Sequence, residues 1–131
     1  MNPTEKPCPF CAPPRDQILA EGNEAMALWD THPVSPGHVL IVPRRHVASW
    51  FEATAGEREA MLRLADEAHR IVSKRHSPDA FNLGINDGAA AGQSVPHLHL
   101  HLIPRYRGDV PDPRGGVRWI IPNRAEYWNK A

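Results

Sequence analysis

The chain has 131 residues, and its fifteen lysines and arginines are balanced by fifteen aspartates and glutamates. One domain of this length builds a core without disulfide staples, and the balanced charge argues against a binder of polymeric nucleic acid or of a membrane surface. No apolar run approaches the ~18 residues of a membrane span, and Met1–Pro7 lacks the apolar stretch of a signal peptide, so a soluble, cytoplasmic protein is expected. Residues 1–16 are proline-rich and irregular and hold the chain's two cysteines, in Cys8-Pro9-Phe10-Cys11. Ile18–Gly22 and Ala25–Trp29 read as two short strands around Asn23, followed by a loop punctuated by Pro33, Pro36 and Gly37. His38–Pro43 is a compact apolar strand. Thr54–Arg75 is the clearest helix: Thr54 and Glu57 form a capping box, and Met61, Leu64, Ala65, Ala68, Ile71 and Val72 recur at helical spacing. Phe81–Asn86 is a fourth strand, and the small-residue loop Asp87–Ser94 leads into a histidine strand, 97–103. The tail, 105–131, carries Trp119, Ile120, Ile121, Tyr127 and Trp128, more apolar than a free tail should be. With no repeat or domain boundary, the expectation is a single α+β domain over 1–131, a mainly antiparallel sheet with one long helix.

The histidine strand holds most of the chemistry. In Val95-Pro96-His97-Leu98-His99-Leu100-His101-Leu102-Ile103 the alternation places His97, His99 and His101 on one face and Leu98, Leu100 and Leu102 on the other, toward a core. Three imidazoles on one face suit a catalytic metal site or covalent catalysis, in which a histidine attacks phosphorus. The loop before the strand favours phosphoryl or nucleotidyl transfer, because small residues let backbone amides approach a phosphate and Asn86, Gln93 and Ser94 add polar side chains. The cysteine pair is a metal half-site or a redox pair. Pro7, Pro13 and Pro14 break the strand and helix that a thioredoxin-type motif needs, so a metal knuckle fits better, and histidines must supply the remaining ligands.

Three blocks together resemble the histidine triad (HIT) family: Gly92-Gln93-Ser94-Val95-Pro96-His97-Leu98-His99-Leu100-His101, Pro36-Gly37-His38 running to Arg44-Arg45-His46, and Asn86-Asp87-Gly88. The likeness covers about residues 18–109 and is nearest the diadenosine polyphosphate hydrolase, or fragile-histidine-triad, branch. It implies that His99 is the nucleophile, that His101 contacts the transferred phosphate and that His38 lies against the nucleophile and orients it. It also implies that Asn86, Gly92, Gln93, Ser94 and Val95 cradle phosphate and that Asp30 binds ribose hydroxyls. Cys8, Cys11, His46 and His97 match a closed, structural zinc site found in some branches, with no organic cofactor. Arg105 and Arg107 are placed to meet outer phosphates, and a homodimer is implied. The activity expected is hydrolysis or transfer on dinucleoside polyphosphates through a nucleotidyl-histidine intermediate. The alternatives are an adenosine phosphoramidate hydrolase, a dinucleoside polyphosphate phosphorylase and, in another class, a nucleotide sensor with incidental hydrolysis.

Overall fold

Five antiparallel strands form one sheet in the order β1-β2-β3-β5-β4, described over residues 7–129 in a computed structural model. The strands are β1 (Ile18–Glu21), β2 (Ala25–Trp29), β3 (Val39–Pro43), β4 (Ala80–Ile85) and β5 (Leu100–Arg105). A hairpin joins β1 to β2, and Gly22 N–H closes it by donating to Ala25 O at 2.9 Å. Helix α1 (Ala55–His76) links the central strand β3 to the edge strand β4.

Helix α1 begins where the capping box predicts. Thr54 Oγ1 accepts from Glu57 N at 3.0 Å, and a Glu57 carboxylate oxygen accepts from Thr54 N at 2.9 Å, so both partners serve otherwise free amides. The helix ends at Ser77, in the left-handed conformation with φ +50°, after a basic last turn of Lys74, Arg75 and His76 that suits the helix dipole. Its buried face, which includes Met61, Leu64, Ala68 and Val72, packs on Ala25, Ala27, Val39, Ile41, Leu98, Leu100 and Leu102. The three alternating leucines therefore enter the core as expected. On the opposite face of the sheet, Phe10 joins Met26, Leu28, Leu40 and Val42 in a smaller cluster.

The histidine strand starts later than the alternation predicts. Its ladder begins at Leu100, paired with Ile41 on one side and Ile85 on the other. On the β3 side Pro43, the last residue of that strand, has no N–H to give. Leu98 N instead donates to Val47 O at 2.7 Å, and His97 N turns back to Val95 O at 2.8 Å. His97 and His99 thus sit on a buried, irregular lead-in, and only His101 lies in the strand itself.

After β5 the tail makes a 3-10 turn (Gly116–Ile120) and the single-turn helix α2 (Pro122–Ala125). Residues 1–6 of the irregular N-terminal segment and residues 130–131 of the tail lie outside the described residues.

Candidate active site

The hydrogen-bond partners of the histidines set their tautomers. His99 Nδ1 lies 2.8 Å from the carbonyl oxygen of His97. A carbonyl only accepts, so Nδ1 carries the proton and Nε2 keeps its lone pair. Val34 N donates to His38 Nδ1 at 3.2 Å, which puts the His38 proton on Nε2. That nitrogen is 2.9 Å from His101 Nδ1 and 3.4 Å from Asp30 Oδ2. His101 Nδ1 therefore accepts, and its Nε2–H is left as a donor. His38 contacts His101 rather than the middle histidine; the two triad rings lie 5.1 Å apart, and the backbone carbonyl of His97 holds His99. The placement expected of His38, against the middle histidine, is corrected accordingly: it lies against His101.

Burial pushes His101 down to about 4, with the neighbouring His99 and His38 adding to the effect and Asp30 opposing it. His38 is pushed down by burial too, again opposed by Asp30. Both shifts favour the neutral rings, the form in which the donor–acceptor relay holds. Asp30, expected to meet ribose, also spends Oδ1 on the His32 amide at 2.8 Å.

In the loop between β4 and the histidines, Gly88 and Gly92 adopt φ +94° and +95°, conformations that disfavour any side chain. Gln93 was expected to face phosphate but is spent inside the loop. Its Oε1 accepts from Gly88 N at 2.8 Å, and its Nε2 donates to Ala48 O at 2.9 Å and Val95 O at 3.1 Å. The backbone amides of Gly92 and Gln93 are also taken, by Ala89 O and Gly88 O. These two residues shape the loop. Asn86, the Ser94 hydroxyl and the Ser94 and Val95 amides remain without an acceptor among the described residues.

Asp87, a loop residue with no assigned role in the sequence reading, ties the loop down: its Oδ2 accepts from Trp50 N at 2.9 Å and Ser49 Oγ at 3.1 Å. The segment following His46 is thus stitched to the loop through Ala48, Ser49 and Trp50. Arg105 also departs from expectation. Its guanidinium grips Asp109 through Nε and Nη2, both at 2.8 Å, and Asn82 through Nη1 at 2.7 Å, and so braces the end of β5. That grip holds the Asp109 carboxyl far below the usual carboxylate range. Arg107 stays exposed, 3.7 Å from Asp79.

Cys8, Cys11, His46 and His97 converge. Cys8 Sγ is 3.3 Å and Cys11 Sγ 3.6 Å from His97 Nδ1; His46 Nδ1 is 3.2 Å from both Cys11 Sγ and His97 Nδ1. Tetrahedral zinc with Zn–N of ~2.05 Å and Zn–S of ~2.3 Å requires N···N edges of ~3.3 Å and N···S edges of ~3.6 Å. The donor set fits that ion. His97 Nε2 meets Pro43 O at 2.8 Å, so its proton sits there and Nδ1 presents a lone pair to the cluster, the outer-sphere arrangement of a histidine metal ligand. His46 is held through its neighbour: Arg45 forks onto Glu57 at 2.8 and 3.1 Å, fastening this turn to the start of α1. That pairing, chiefly Arg45's hydrogen bonds, holds the Glu57 carboxyl below its usual range. Between the cysteines, Phe10 packs its ring 5.8 Å from His97 and 5.2 Å from His99, centroid to centroid. Its place as the one large apolar residue inside the cysteine pair was the available signal for this wedge.

An antiparallel α+β sheet in which the strand beside the central one is entered through a buried histidine run defines a recognisable class of domain. The chain belongs to the histidine triad family: the HIT domain profile matches residues 14–108. It is 40% identical over 116 residues to a bis(5'-adenosyl)-triphosphatase of Saccharomyces cerevisiae, covering 87% of this chain and 53% of that protein. It is 35% identical over 100 residues to an asymmetrical bis(5'-nucleosyl)-tetraphosphatase of Schizosaccharomyces pombe, covering 76% and 55%. The chain thus spans about half the length of these curated relatives. Among solved structures, a zinc-bound histidine triad family protein from Mycobacterium smegmatis superposes with a TM-score of 0.68 at 30% identity, covering 80% of this chain and 84% of that one.

Proposed function

We propose that this chain hydrolyses dinucleoside polyphosphates by transferring a nucleotidyl group through His99. The observation that carries the reading is the His99 Nδ1–H bond to the His97 carbonyl, which leaves Nε2 as a neutral nucleophile. The Nε2 lone pair attacks the α-phosphorus, the P–O bond to the outer phosphates breaks, and that oxygen leaves with the electron pair. Water then attacks the same phosphorus, the P–N bond breaks, and the nucleoside monophosphate departs with His99 restored. His101 Nε2–H, the Ser94 hydroxyl, the Ser94 and Val95 amides and Asn86 hold the equatorial oxygens as charge develops. Gly92 and Gln93 set the curve of the loop that presents them. Asp30 orients the His38–His101 pair and offers its remaining lone pairs to ribose hydroxyls.

Cys8, Cys11, His46 and His97 would hold a zinc ion; with four protein ligands it supplies bracing and no reaction chemistry. Thiolate ligands of this kind suit a reducing, cytoplasmic setting. The unpaired edge of β4, with Leu83 half exposed, supports a homodimer, which sedimentation would test. The function is tested by incubating the chain with diadenosine tri- and tetraphosphate and with adenosine phosphoramidate, with and without added inorganic phosphate. Adenosine monophosphate plus the matching nucleoside polyphosphate is the expected product pair. Cleavage of the phosphoramidate alone, or a nucleoside diphosphate formed only when phosphate is present, overturns the assignment.

A further inference from the structure

Beside the catalytic row lies a groove that the reaction has not yet used. Cross-strand pairing sets His101 opposite Gly84, then Ile103 opposite Asn82, then Arg105 opposite Ala80. Since Leu100 and Leu102 enter the core, His101, Ile103 and Arg105 share the other face, together with their partners. Asn82, Ile103 and Arg105 floor a groove of ≈ 610 Å³ whose walls are Val34 on one side and Val117 and Trp119 of the tail on the other. The groove is therefore one residue pair, about 7 Å, from His101. Gly84 raises no side chain between them, and a Cβ placed there would meet nothing within 4 Å.

The tail wall is built rather than loose. Trp119 Nε1 donates to Arg114 O at 2.7 Å, Gly115 at φ +95° lets Trp119 and Trp128 close around it, and Arg118 binds the carbonyls of Arg124 and Ala125 at 2.8 and 2.9 Å. Trp119 nevertheless remains 45% exposed and Val117 59%. An anchored but uncovered indole at the rim of an apolar groove offers a face for a planar ring.

We propose that this groove takes the second nucleoside of the substrate, the one that leaves with the outer phosphates, with its base against Trp119. The proposal rests on the dinucleoside polyphosphate reading. Three features choose that occupant: the groove adjoins His101 on the same face, its volume suits a small organic group, and its floor is neutral because Asp109 and Asn82 occupy the Arg105 guanidinium. The phosphate chain stays at the loop, and only an uncharged apolar ring is sought here.

Two substrates sharing the adenylyl group test it: diadenosine triphosphate, and the p-nitrophenyl ester of adenosine monophosphate, which has no second nucleoside. Trp119→Ala should raise KM for the dinucleoside about tenfold, as expected for one lost base–aromatic stack, and leave KM for the ester within about twofold. Trp119→Phe should restore most of the difference, and Val117→Glu should reproduce it with the indole intact. Equal effects on both substrates, or none on either, overturn the subsite. So does a shift of Trp119→Ala to a smaller species in sedimentation, which would assign the groove to a second copy of the chain. Wild-type protein that cleaves the ester but not the dinucleoside overturns the substrate reading itself, and that result is read before any variant is made.

Discussion

The two ends of the chain cover the same face of the sheet and are held there in opposite ways. At the N-terminal end a four-residue knuckle buries Phe10 against Met26, Leu28, Leu40 and Val42 and points both cysteines at histidines more than thirty positions away. At the C-terminal end the tail is fastened mainly to itself, through Arg114, Arg118 and Trp119, and keeps Ile120 79% exposed. The knuckle is a brace seated through the buried Phe10, and its removal reaches His99 through His97 and Phe10. The tail is a wall whose removal reaches only what lies against it. The histidine relay stands between them.

The largest effect is expected at His99, which stands with the relay between the two ends. His99→Ala should lower turnover by more than about a thousandfold while leaving the fold intact by circular dichroism. A variant that keeps near-wild-type turnover would remove the distinction between centre and ends.

Stripping the knuckle should have the next largest effect. Cys8→Ser, or chelation of bound metal, should release zinc, lower the melting temperature by at least about 10 °C and reduce turnover as His97 loses its anchor. Unchanged melting with stoichiometric zinc loss would make the ion dispensable.

Phe10→Ala separates the packing from the ion. Removing this buried ring should cost about 3 kcal/mol in a denaturant titration and still permit zinc binding; little change would mean that the four ligands alone hold the knuckle.

Acid should act on the relay. The folded protein holds His101 at about 4 against the ordinary 6.5, and His38 is lowered as well. Between those values the unfolded chain binds more protons than the folded one, so this stability is fully present above about pH 6.5 and is lost as the pH falls toward 4. His101→Gln should reduce that slope, leaving the share of His38; an unchanged slope would assign it to other groups.

The smallest effect is expected in the tail. Arg118→Ala removes two hydrogen bonds to carbonyls of the same segment and should shift melting by less than about 4 °C with kcat unchanged. A large fall in kcat would mean that the tail reaches the relay.

What the sequence made legible was whatever depends on neighbours along the chain. The Thr54–Glu57 box, the hairpin around Asn23 and the three alternating leucines are local patterns with local physical causes, and each appears in the fold. What it hid depends on distant partners. The late start of β5 depends on Pro43, more than fifty positions upstream, having no N–H. Arg105 reads as free charge until Asp109 and Asn82 close on it. Gln93 reads as a phosphate donor until the carbonyl of Ala48 claims its amide. His38 reads as a companion of the nucleophile until the register sets it beside His101. The convergence of Cys8, Cys11, His46 and His97 likewise joins positions far apart in the chain, and only their likeness to a family pattern points to it in the sequence.

The approach of Cys8 to His97 spans 89 positions of chain. During synthesis the cysteine pair emerges before His97, the donor that would complete a four-ligand site and that arrives only with the histidine run. A chain truncated before that run can offer a metal at most three of these four donors. Closing so long a loop is entropically costly, so the last bond to a metal would form late, when the sheet already holds its ends together. The ion would thus mark progress along the chain: holding it through all four side chains requires synthesis through His97, at the entrance to β5.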